Sequence, residues 1–209
     1  MKKIAVIVAL EKEFTLAQKA LAGMPGISLS ICGMGKVNAA VGATSIIERE
    51  HPDAIISTGV AGAIDASLKP MDVIVARQVA YHDVWCGPGF DPGVVQGLPQ
   101  YFDADKELYA KAMSLSLDGL TIKGGLQISG DRFILAEDVP CLHAMYPEAL
   151  SVDMESGALS QTCYRYGVPF ISFRIISDSA DGDAYDDFWT KAPENSFLVL
   201  KAFLDSILQ

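Results

Sequence analysis

The sequence predicts an α/β fold in which helices flank a central, largely parallel or mixed β-sheet, and two observations indicate it. Strand-like and helix-like segments alternate along all 209 residues, which is typical of sheets with helices on their faces. Residues 4–8 and 170–176 are almost continuously apolar, as expected for strands covered on both faces. No linker or internal repeat divides the chain, so we expect one domain over residues 1–209.

The predicted elements follow one another in a regular order. Strands are expected at about 3–9, 27–32, 54–58, 72–80, 122–129, 149–154 and 168–177, and helices at about 12–22, 36–50, 104–115, 136–146, 155–166 and 192–208. In the second helix, residues recur at steps of three and four, namely Val37, Val41, Thr44 and Ile47, and Pro52 follows its end. The last helix carries a broad apolar stripe, which packing against a core explains.

Composition narrows the class of partner. The net charge of −10 disfavours nucleic acids and anionic membranes, because both attract basic surfaces. The apolar run after Met1 ends in charged residues without a cleavage site, so it predicts a first strand rather than a signal peptide. The four cysteines form no C-x-x-C pair and the three histidines lack metal-ligand spacing. We therefore expect a cytoplasmic protein that acts on a small molecule without a metal or cofactor.

Three carboxylates that are distant in the sequence each follow a predicted strand, and they are Glu13, Glu155 and Asp178. Because ligands of α/β sheets bind beyond the carboxyl ends of strands, we expect the three acids to meet in one site. Each of the last two also has a plainer interpretation, since Glu155 suits the first turn of a helix and Asp178 suits a helix N-cap. Together the acids favour proton transfer and the stabilisation of a positively charged transition state.

Several shorter motifs leave two interpretations open. GMGK at 33–36 lacks the frame of a phosphate-binding loop and of a dinucleotide fingerprint, so it is a ligand-facing turn or a plain tight turn. TGVAGA at 58–63 would let a flat ring approach the backbone, or is an ordinary transition from strand to loop. Phe133 is a platform for a heterocycle or a core aromatic, and its segment alone favours the core. Asp153 and Glu155 could accept hydrogen bonds from two sugar hydroxyls.

These motifs, in this order, resemble the nucleoside phosphorylase and nucleosidase superfamily, and within it the 5′-methylthioadenosine/S-adenosylhomocysteine nucleosidases. The resemblance covers the chain from end to end, and the order and spacing of the motifs carry it. It implies a three-layer, phosphorylase-like fold whose mixed sheet curls toward a barrel, and a homodimer. The matching segments are ALEKE at 9–13, GMGKVNAA at 33–40, TGVAG at 58–62, YHD at 81–83, SGDRF at 129–133, VDME at 152–155 and ISDSAD at 176–181.

The resemblance implies hydrolysis of the N-glycosidic bond of methylthioadenosine or S-adenosylhomocysteine, with release of adenine and a 5-thioribose product, in methionine salvage. It implies that Glu13 activates the attacking water, Glu155 holds the ribose hydroxyls and Asp178 protonates N7 of the purine. Carboxylates suit a cationic ribose, and a carboxylic acid suits the departing adenine. The further substrate-binding residues that it implies are Ala9, Met34, Ala61, Gly62, Phe133, Ile134, Asp153, Met154, Ser177 and Phe188.

Water is the expected nucleophile. Phosphorylases of this superfamily have a Gly-Asp-Pro turn after the first strand and arginines that hold phosphate, whereas this chain has ALEKE there and no arginine before Arg49. A futalosine hydrolase of menaquinone biosynthesis is the close alternative. A phosphate-dependent purine nucleoside phosphorylase and a non-catalytic nucleoside-binding protein are weaker alternatives, the latter because mere binding does not need three acids.

The sequence departs from the family pattern in three places. The region between the first helix and Gly33 is abridged, so we expect a hairpin of many members to be absent. Position 153 is Asp where Glu is familiar, and Val60 stands where Ser is familiar. We expect the catalytic assignment to survive these changes. The 5′ substituent of the substrate stays open, because loops and a neighbouring subunit form the 5′ pocket.

Two long connections are expected at 85–101 and 178–195, and loops of this length are commonly lids, binding loops or subunit contacts. The first is too apolar for a solvated loop, so we expect it to contact a second subunit near the 5′ pocket. The alternative is that it folds back on its own core. Its apolar residues are Trp85, Phe90, Val94, Val95, Leu98 and Tyr101.

Overall fold

The computed structural model describes residues 2–178, 188 and 197–208, and it confirms the predicted α/β class. The strands are β1 (Ile4–Val8), β2 (Ile27–Ile31), β3 (Ala54–Ala63), β4 (Val73–Tyr81), β5 (Phe102–Asp103), β6 (Ile122–Ser129), β7 (Ala149–Asp153) and β8 (Phe170–Asp178). The helices are α1 (Glu11–Ala20), α2 (Lys36–Glu50), α3 (Lys106–Met113), α4 (Val139–Met145), α5 (Ser156–Tyr166) and α6 (Leu198–Leu208). No helix within these residues is long and apolar enough to cross a membrane.

The strands form one mixed sheet that closes on itself. Its order is β2-β1-β3-β7-β6-β4-β5, and β8 pairs with both β3 and β4. β8 runs parallel to β3 and antiparallel to β4, while β7 joins β6 to the far end of β3. The strands β3, β8, β4, β6 and β7 therefore make a closed ring, and the expected curl toward a barrel is confirmed.

The two faces of the sheet are covered by different helices. Alternate residues of β1, such as Val6 and Ile7, belong to different apolar clusters. The cluster around Val6 includes residues of α1, α3 and α6, and the cluster around Ile7 includes residues of α2 and α5. Because successive side chains of a strand point to opposite faces, burial on both faces explains the continuous apolar run.

β3 is longer than predicted, because the small residues after Thr58 continue the strand as far as Ala63. Its first residues pair with β1, its last two pair with β7, and a bulge between Ala61 and Gly62 interrupts its pairing with β8. Glycine and alanine are poor strand formers by local preference, but partners on both sides supply the hydrogen bonds here. The interpretation of 58–63 as a loop was therefore wrong.

The remaining differences lie at element ends and between elements. The two-residue strand β5 was not predicted, and α4 begins three residues later than expected, at Val139. Residues 21–26 connect α1 directly to the edge strand β2, as the abridged sequence indicates. The predicted loop at 178–195 and the start of the predicted helix at 192 lie outside the described residues, apart from Asp178 and Phe188.

The connection between β4 and β5 packs partly on its own subunit. The hydroxyl of Tyr146 lies 2.9 Å from the carbonyl oxygen of Tyr81 and 3.3 Å from that of Pro92. The ring of Tyr146 meets that of Tyr101 edge to face, with centroids 6.2 Å apart. Trp85 nevertheless stays 64% exposed. The inner part of the loop folds on its own core, and a subunit contact through Trp85 stays a prediction.

Candidate active site

The three predicted acids meet in one cleft. The carboxyl ends of β1, β3, β6, β7 and β8 surround a cavity whose empty space, including its open mouth, is about 620 Å³. Glu13, Glu155 and Asp178 all line it, and each is less than a tenth exposed, at 3%, 8% and 3%. The topology thus brings together residues that lie up to 165 positions apart in the chain.

The structure places almost every predicted binding residue in this cleft. Phe188 is the exception, because it packs in the largest apolar cluster of the core and is not among the described residues that line the cavity. Its aromatic ring gains more from burial against that core than from the open cleft. The lining residues that were predicted are Ala9, Met34, Ala61, Gly62, Phe133, Ile134, Asp153, Met154 and Ser177, and those that were missed are Leu10, Val60, Arg132 and Val152.

Glu13 lies in the first turn of α1, and backbone N–H groups hold its carboxylate. Oε2 accepts hydrogen bonds from Ala9 (2.9 Å) and Leu10 (3.0 Å), and Oε1 accepts one from Val60 (2.9 Å). Gly59 is required beside it, since a Cβ there would collide with Oε1. Val60 contributes only its backbone N–H to this contact, so the side chain at position 60 does not decide the orientation of Glu13.

A buried arginine lies beneath the acids. Arg174 is 3% exposed, although it is in the middle of the apolar strand β8. Its Nε and Nη2 both lie 2.7 Å from Oδ2 of Asp153. Its Nη2 also donates to the hydroxyls of Ser57 (2.8 Å) and Ser156 (3.0 Å). Burial alone would lower the pKa of Arg174, but the nearby carboxylates of Asp153, Glu155 and Glu13 hold this pKa above its ordinary value.

This arrangement changes the role expected for Asp153. Its Oδ2 also accepts a 2.6 Å hydrogen bond from the hydroxyl of Ser156, and its Oδ1 accepts only the backbone N–H of Ser156, at 3.2 Å, so the charge and Oδ2 of Asp153 are already engaged. Asp153 lines the cleft but is directed to Arg174, and the structure does not favour it as an acceptor for a sugar hydroxyl. That function is left to Glu155.

Glu155 begins α5, but its side chain does not cap the helix. Instead Oε1 accepts a 2.9 Å hydrogen bond from the backbone N–H of Gly35, so Glu155 stands at the helix start, as its plainer interpretation has it, but its carboxylate binds a neighbouring loop. Within the described part of the chain, no residue donates a hydrogen bond to Oε2. Burial, and then the negative charge of Asp153, raise the pKa of Glu155 to about 7, while Arg174 and the Gly35 N–H oppose this shift.

Burial likewise raises the pKa of Glu13 above its ordinary value, although Arg174 and the N–H groups of Val60, Leu10 and Ala9 oppose the shift. Asp178 ends β8, and its Oδ2 accepts a 2.6 Å hydrogen bond from the hydroxyl of Ser177. The alternative of Asp178 as a helix N-cap concerns the residues after it, which lie outside those described.

The cleft also has an apolar wall. Phe133 is 46% exposed and Met34 is 56% exposed, yet both line the cavity. The interpretation of Phe133 as a core aromatic was therefore wrong, and the turn at 33–36 brings Met34 to the cleft, so its role as a ligand-facing turn stays a prediction. Among the described residues there is no cluster of histidine, cysteine and carboxylate side chains that could hold a metal ion.

The comparison with known proteins agrees with this geometry. The sequence model of the phosphorylase superfamily matches residues 5–205. The chain belongs to this superfamily. A curated relative, the 5′-methylthioadenosine/S-adenosylhomocysteine nucleosidase of Staphylococcus saprophyticus, is 41% identical over 187 residues, which are 87% of this chain and 82% of that protein.

Solved structures of the superfamily have the same fold. The 5′-methylthioadenosine/S-adenosylhomocysteine nucleosidase of Neisseria meningitidis, in complex with methylthio-immucillin-A, has a TM-score of 0.93 at 33% identity, and the match covers 99% of this chain and 100% of that chain. The futalosine hydrolase of Helicobacter pylori has a TM-score of 0.90 at 25% identity, with 98% of each chain covered. The sequence identity to this nucleosidase is thus higher than the identity to the futalosine hydrolase.

The raised pKa of Glu155 predicts how stability depends on pH. Its ordinary value is 4.5 and its value in the folded protein is about 7, so its contribution to stability is full below pH 4.5 and is lost as the pH rises through 7. Because an amide does not titrate, the free energy of unfolding of Glu155→Gln relative to wild type should rise by about 2 kcal/mol between pH 5 and pH 8. Urea unfolding at both pH values measures this difference.

The exposed Glu107→Gln on α3 is the matched control for the loss of a carboxylate. If the difference between Glu155→Gln and wild type is the same at pH 5 and at pH 8, then Glu155 is not destabilised by its burial.

Proposed function

We propose that the protein hydrolyses the N-glycosidic bond of 5′-methylthioadenosine and S-adenosylhomocysteine, releasing adenine and a 5-thioribose product. The observation that carries this proposal is the convergence of Glu13, Glu155 and Asp178, all buried, opposite the apolar wall of one cleft. The names of the relatives support this substrate class, because the curated proteins at 34–41% identity are nucleosidases of this kind. We also propose, as the resemblance implies, that the reaction serves methionine salvage.

Glu13 is the group that activates water. Both lone pairs of its Oε2 are taken by the N–H groups of Ala9 and Leu10, whereas Oε1 accepts a bond from Val60 and keeps one lone pair. A water that donates to this lone pair is held in a fixed direction, because three backbone groups prevent the carboxylate from rotating. As the glycosidic bond breaks, Glu13 accepts the proton of the attacking water.

Glu155 acts on the sugar. Its Oε2 lies at the cleft without a donor among the described residues, so it can accept hydrogen bonds from ribose hydroxyls. The hydrogen bonds from the ribose hydroxyls to a charged acceptor strengthen as positive charge develops on the ribose ring in the transition state. Arg174 lies below the acids and is not part of the cavity lining. Its positive charge offsets part of the negative charge of Asp153, Glu155 and Glu13.

Asp178 acts on the base. The adenine would lie against Phe133, whose ring lines the cleft, and against the backbone of Ala61 and Gly62. Asp178, at the end of β8, would then donate a proton to N7 of the departing purine, and the hydroxyl of Ser177 fixes the orientation of its carboxyl group. Protonation neutralises the charge that develops on adenine.

The charges of the cleft support water rather than phosphate as the nucleophile. Among the described residues that line the cavity, the one cation is Arg132, and its guanidinium is paired with Asp138 at 2.6 Å. Arg174 is paired with Asp153. A phosphate dianion would therefore meet three carboxylates and no unpaired cation within the described lining of the cavity, and this arrangement is unfavourable.

We also propose a cytoplasmic homodimer. Several apolar side chains lie exposed beside the mouth of the cleft, namely Met34 (56%), Val37 (73%) and Val41 (65%) on and before α2. Exposed apolar groups that adjoin one another commonly mark an interface. Together with Trp85, they offer a second subunit a place next to the region where the 5′ substituent would lie.

Turnover should need neither phosphate nor a metal ion. In phosphate-free buffer with a chelator, the protein should release adenine from methylthioadenosine at an undiminished rate, because Glu13 supplies water activation. Chromatography of the products measures both adenine and the sugar. A ribose 1-phosphate product would contradict the proposal, and faster cleavage of futalosine than of methylthioadenosine would favour the futalosine hydrolase.

Asp178→Asn should lower kcat on methylthioadenosine by about 10²–10⁴-fold, the usual range for loss of general acid catalysis. The amide keeps the shape of the side chain but donates no carboxylic proton, so adenine binding should be largely retained. Asp205→Asn, at an exposed position of the remote helix α6, is the control for the loss of a carboxylate. Near wild-type kcat in a folded Asp178→Asn protein would show that Asp178 is not the acid.

The dimer can be tested through Trp85. Sedimentation at micromolar concentration should show a dimer, and Trp85→Glu should shift it to monomer, because a charge is costly in an apolar interface. The KM for methylthioadenosine should rise in the variant if the partner subunit completes the 5′ pocket. Leu198→Glu, at an exposed apolar position of α6, is the control. A fully active wild-type monomer would contradict the proposal.

A further inference from the structure

The apolar wall of the cleft is built by two loops from distant parts of the chain. Met34 belongs to the loop that precedes α2, and Phe133 belongs to the loop that follows β6. Neither residue lies in a helix or strand, so the sheet alone does not set the separation of the two side chains. A nucleoside that binds against this wall requires that the two loops keep a fixed distance.

Three charged residues outside the cavity tie these loops together. The ammonium of Lys36 donates to both carboxylate oxygens of Asp83, each at 2.8 Å. Oδ2 of Asp83 also accepts the backbone N–H of Asp131 at 2.8 Å. Oδ1 of Asp131 in turn accepts the backbone N–H of Lys36 at 2.6 Å. The contacts form a closed cycle that links the start of α2, the end of β4 and the loop after β6.

The surroundings leave this cycle little freedom. A Cβ at Gly35 would come within 2.8 Å of Oδ1 of Asp131, and a Cβ at Gly130 would come within 2.6 Å of Cγ of Asp83. The loops therefore touch where glycine alone fits. The Lys36 ammonium also lies 5.4 Å from the centroid of the Tyr81 ring, a distance at which cation–π attraction contributes.

The cycle is connected to the catalytic acids by one residue. Gly35, next to Lys36, donates its N–H to Oε1 of Glu155 at 2.9 Å. Burial alone would raise the pKa of Asp83, but the bonds from Lys36 and Asp131 hold this pKa below its ordinary value. Asp83 is therefore ionised, as the cycle requires, over the whole neutral range.

We infer that Lys36, Asp83 and Asp131 form a clamp that positions the Met34 and Phe133 loops for substrate binding. None of the three lines the described cavity, so they are positioning residues rather than catalytic ones. The inference rests on the proposed function, because it assigns the clamp to the binding of an adenine nucleoside. An ion pair whose two side chains are each 24% exposed contributes little to global stability, so the effect of the clamp lies in the geometry of the pocket.

The test compares binding with stability. Lys36→Met keeps the apolar stem and removes the ammonium, and it should raise both the KM for methylthioadenosine and the equilibrium Kd for adenine by about 5- to 20-fold, the range for coupling by residues that do not touch the ligand. The change in kcat should be smaller. Lys36→Arg should recover most of the affinity, because a guanidinium can also bind both oxygens of Asp83.

Two further variants sharpen this test. Asp83→Asn offers one oxygen to the two donors Lys36 and Asp131, so it should weaken adenine binding similarly, and the double variant with Lys36→Met should be no worse than either alone. Lys201→Met is the matched control, since it breaks the remote Lys201–Asp205 pair on α6. It should leave KM and the adenine Kd at wild-type values.

The outcomes are distinct. If wild-type protein neither binds adenine nor cleaves methylthioadenosine, the proposed function fails and the clamp fails with it. If the wild type is active, and folded Lys36→Met and Asp83→Asn both keep the wild-type adenine Kd while their Tm falls, the residues serve stability alone and the clamp is refuted.

Discussion

The site depends on one buried ion pair, between Arg174 and Asp153. Three carboxylates cannot be gathered in a desolvated cleft without a compensating charge, because each would otherwise hold its proton. Arg174 supplies that charge from below, within β8, and Asp153 fixes the guanidinium at 2.7 Å. Removing either partner alone would leave an uncompensated buried charge, a change that typically costs about 3–5 kcal/mol. The ion pair therefore makes it possible for the three acids to lie close together in the cleft.

Arg174 compensates only part of the negative charge of the carboxylates, and the proposed mechanism makes use of the remainder. One arginine faces Glu13, Asp153 and Glu155, so negative charge remains in excess. Burial keeps the pKa values of Glu13 and Glu155 raised despite this arginine, and the charge of Asp153 adds to the shift of Glu155. A carboxylate in such surroundings is a better base than one in water, because it gains more by accepting a proton. The same excess attracts a ribose that becomes cationic and repels phosphate. Stability at high pH is given up for reactivity.

The polar network below the cleft shows how the fold tolerates these charges. Ser156 donates to Asp153 and lies 2.9 Å from the hydroxyl of Ser172, which in turn donates to Gln127. Each of these side chains comes from a different strand or helix of the closed ring. Buried polar groups of this kind are stable only when their hydrogen bonds are satisfied, so the network also fixes the mutual placement of β6, β8 and α5.

The sequence predicts the three acids of the site but not the buried ion pair between Arg174 and Asp153 that compensates their charge. Glu13, Glu155 and Asp178 each follow an apolar strand, and the rule for ligands at strand ends brings them together. Arg174 carried a signal that was not used, since an arginine inside a fully apolar strand must be paired. The full length of β3 and the packing of Phe188 in the core differ from the prediction, because tertiary pairing and the shape of the cleft decide them. Local preference cannot reveal either.

The two departures from the family pattern within the site follow from the same geometry. Val60 holds Glu13 through its backbone N–H, a donor that every residue except proline provides, so a serine side chain is not needed for this contact. Asp153 must supply a buried negative charge to Arg174, and a shorter side chain than glutamate meets it within hydrogen-bonding distance. Position 60 must preserve a backbone N–H donor, and position 153 must preserve a negative charge. The proposed chemistry is therefore compatible with the side chains that differ.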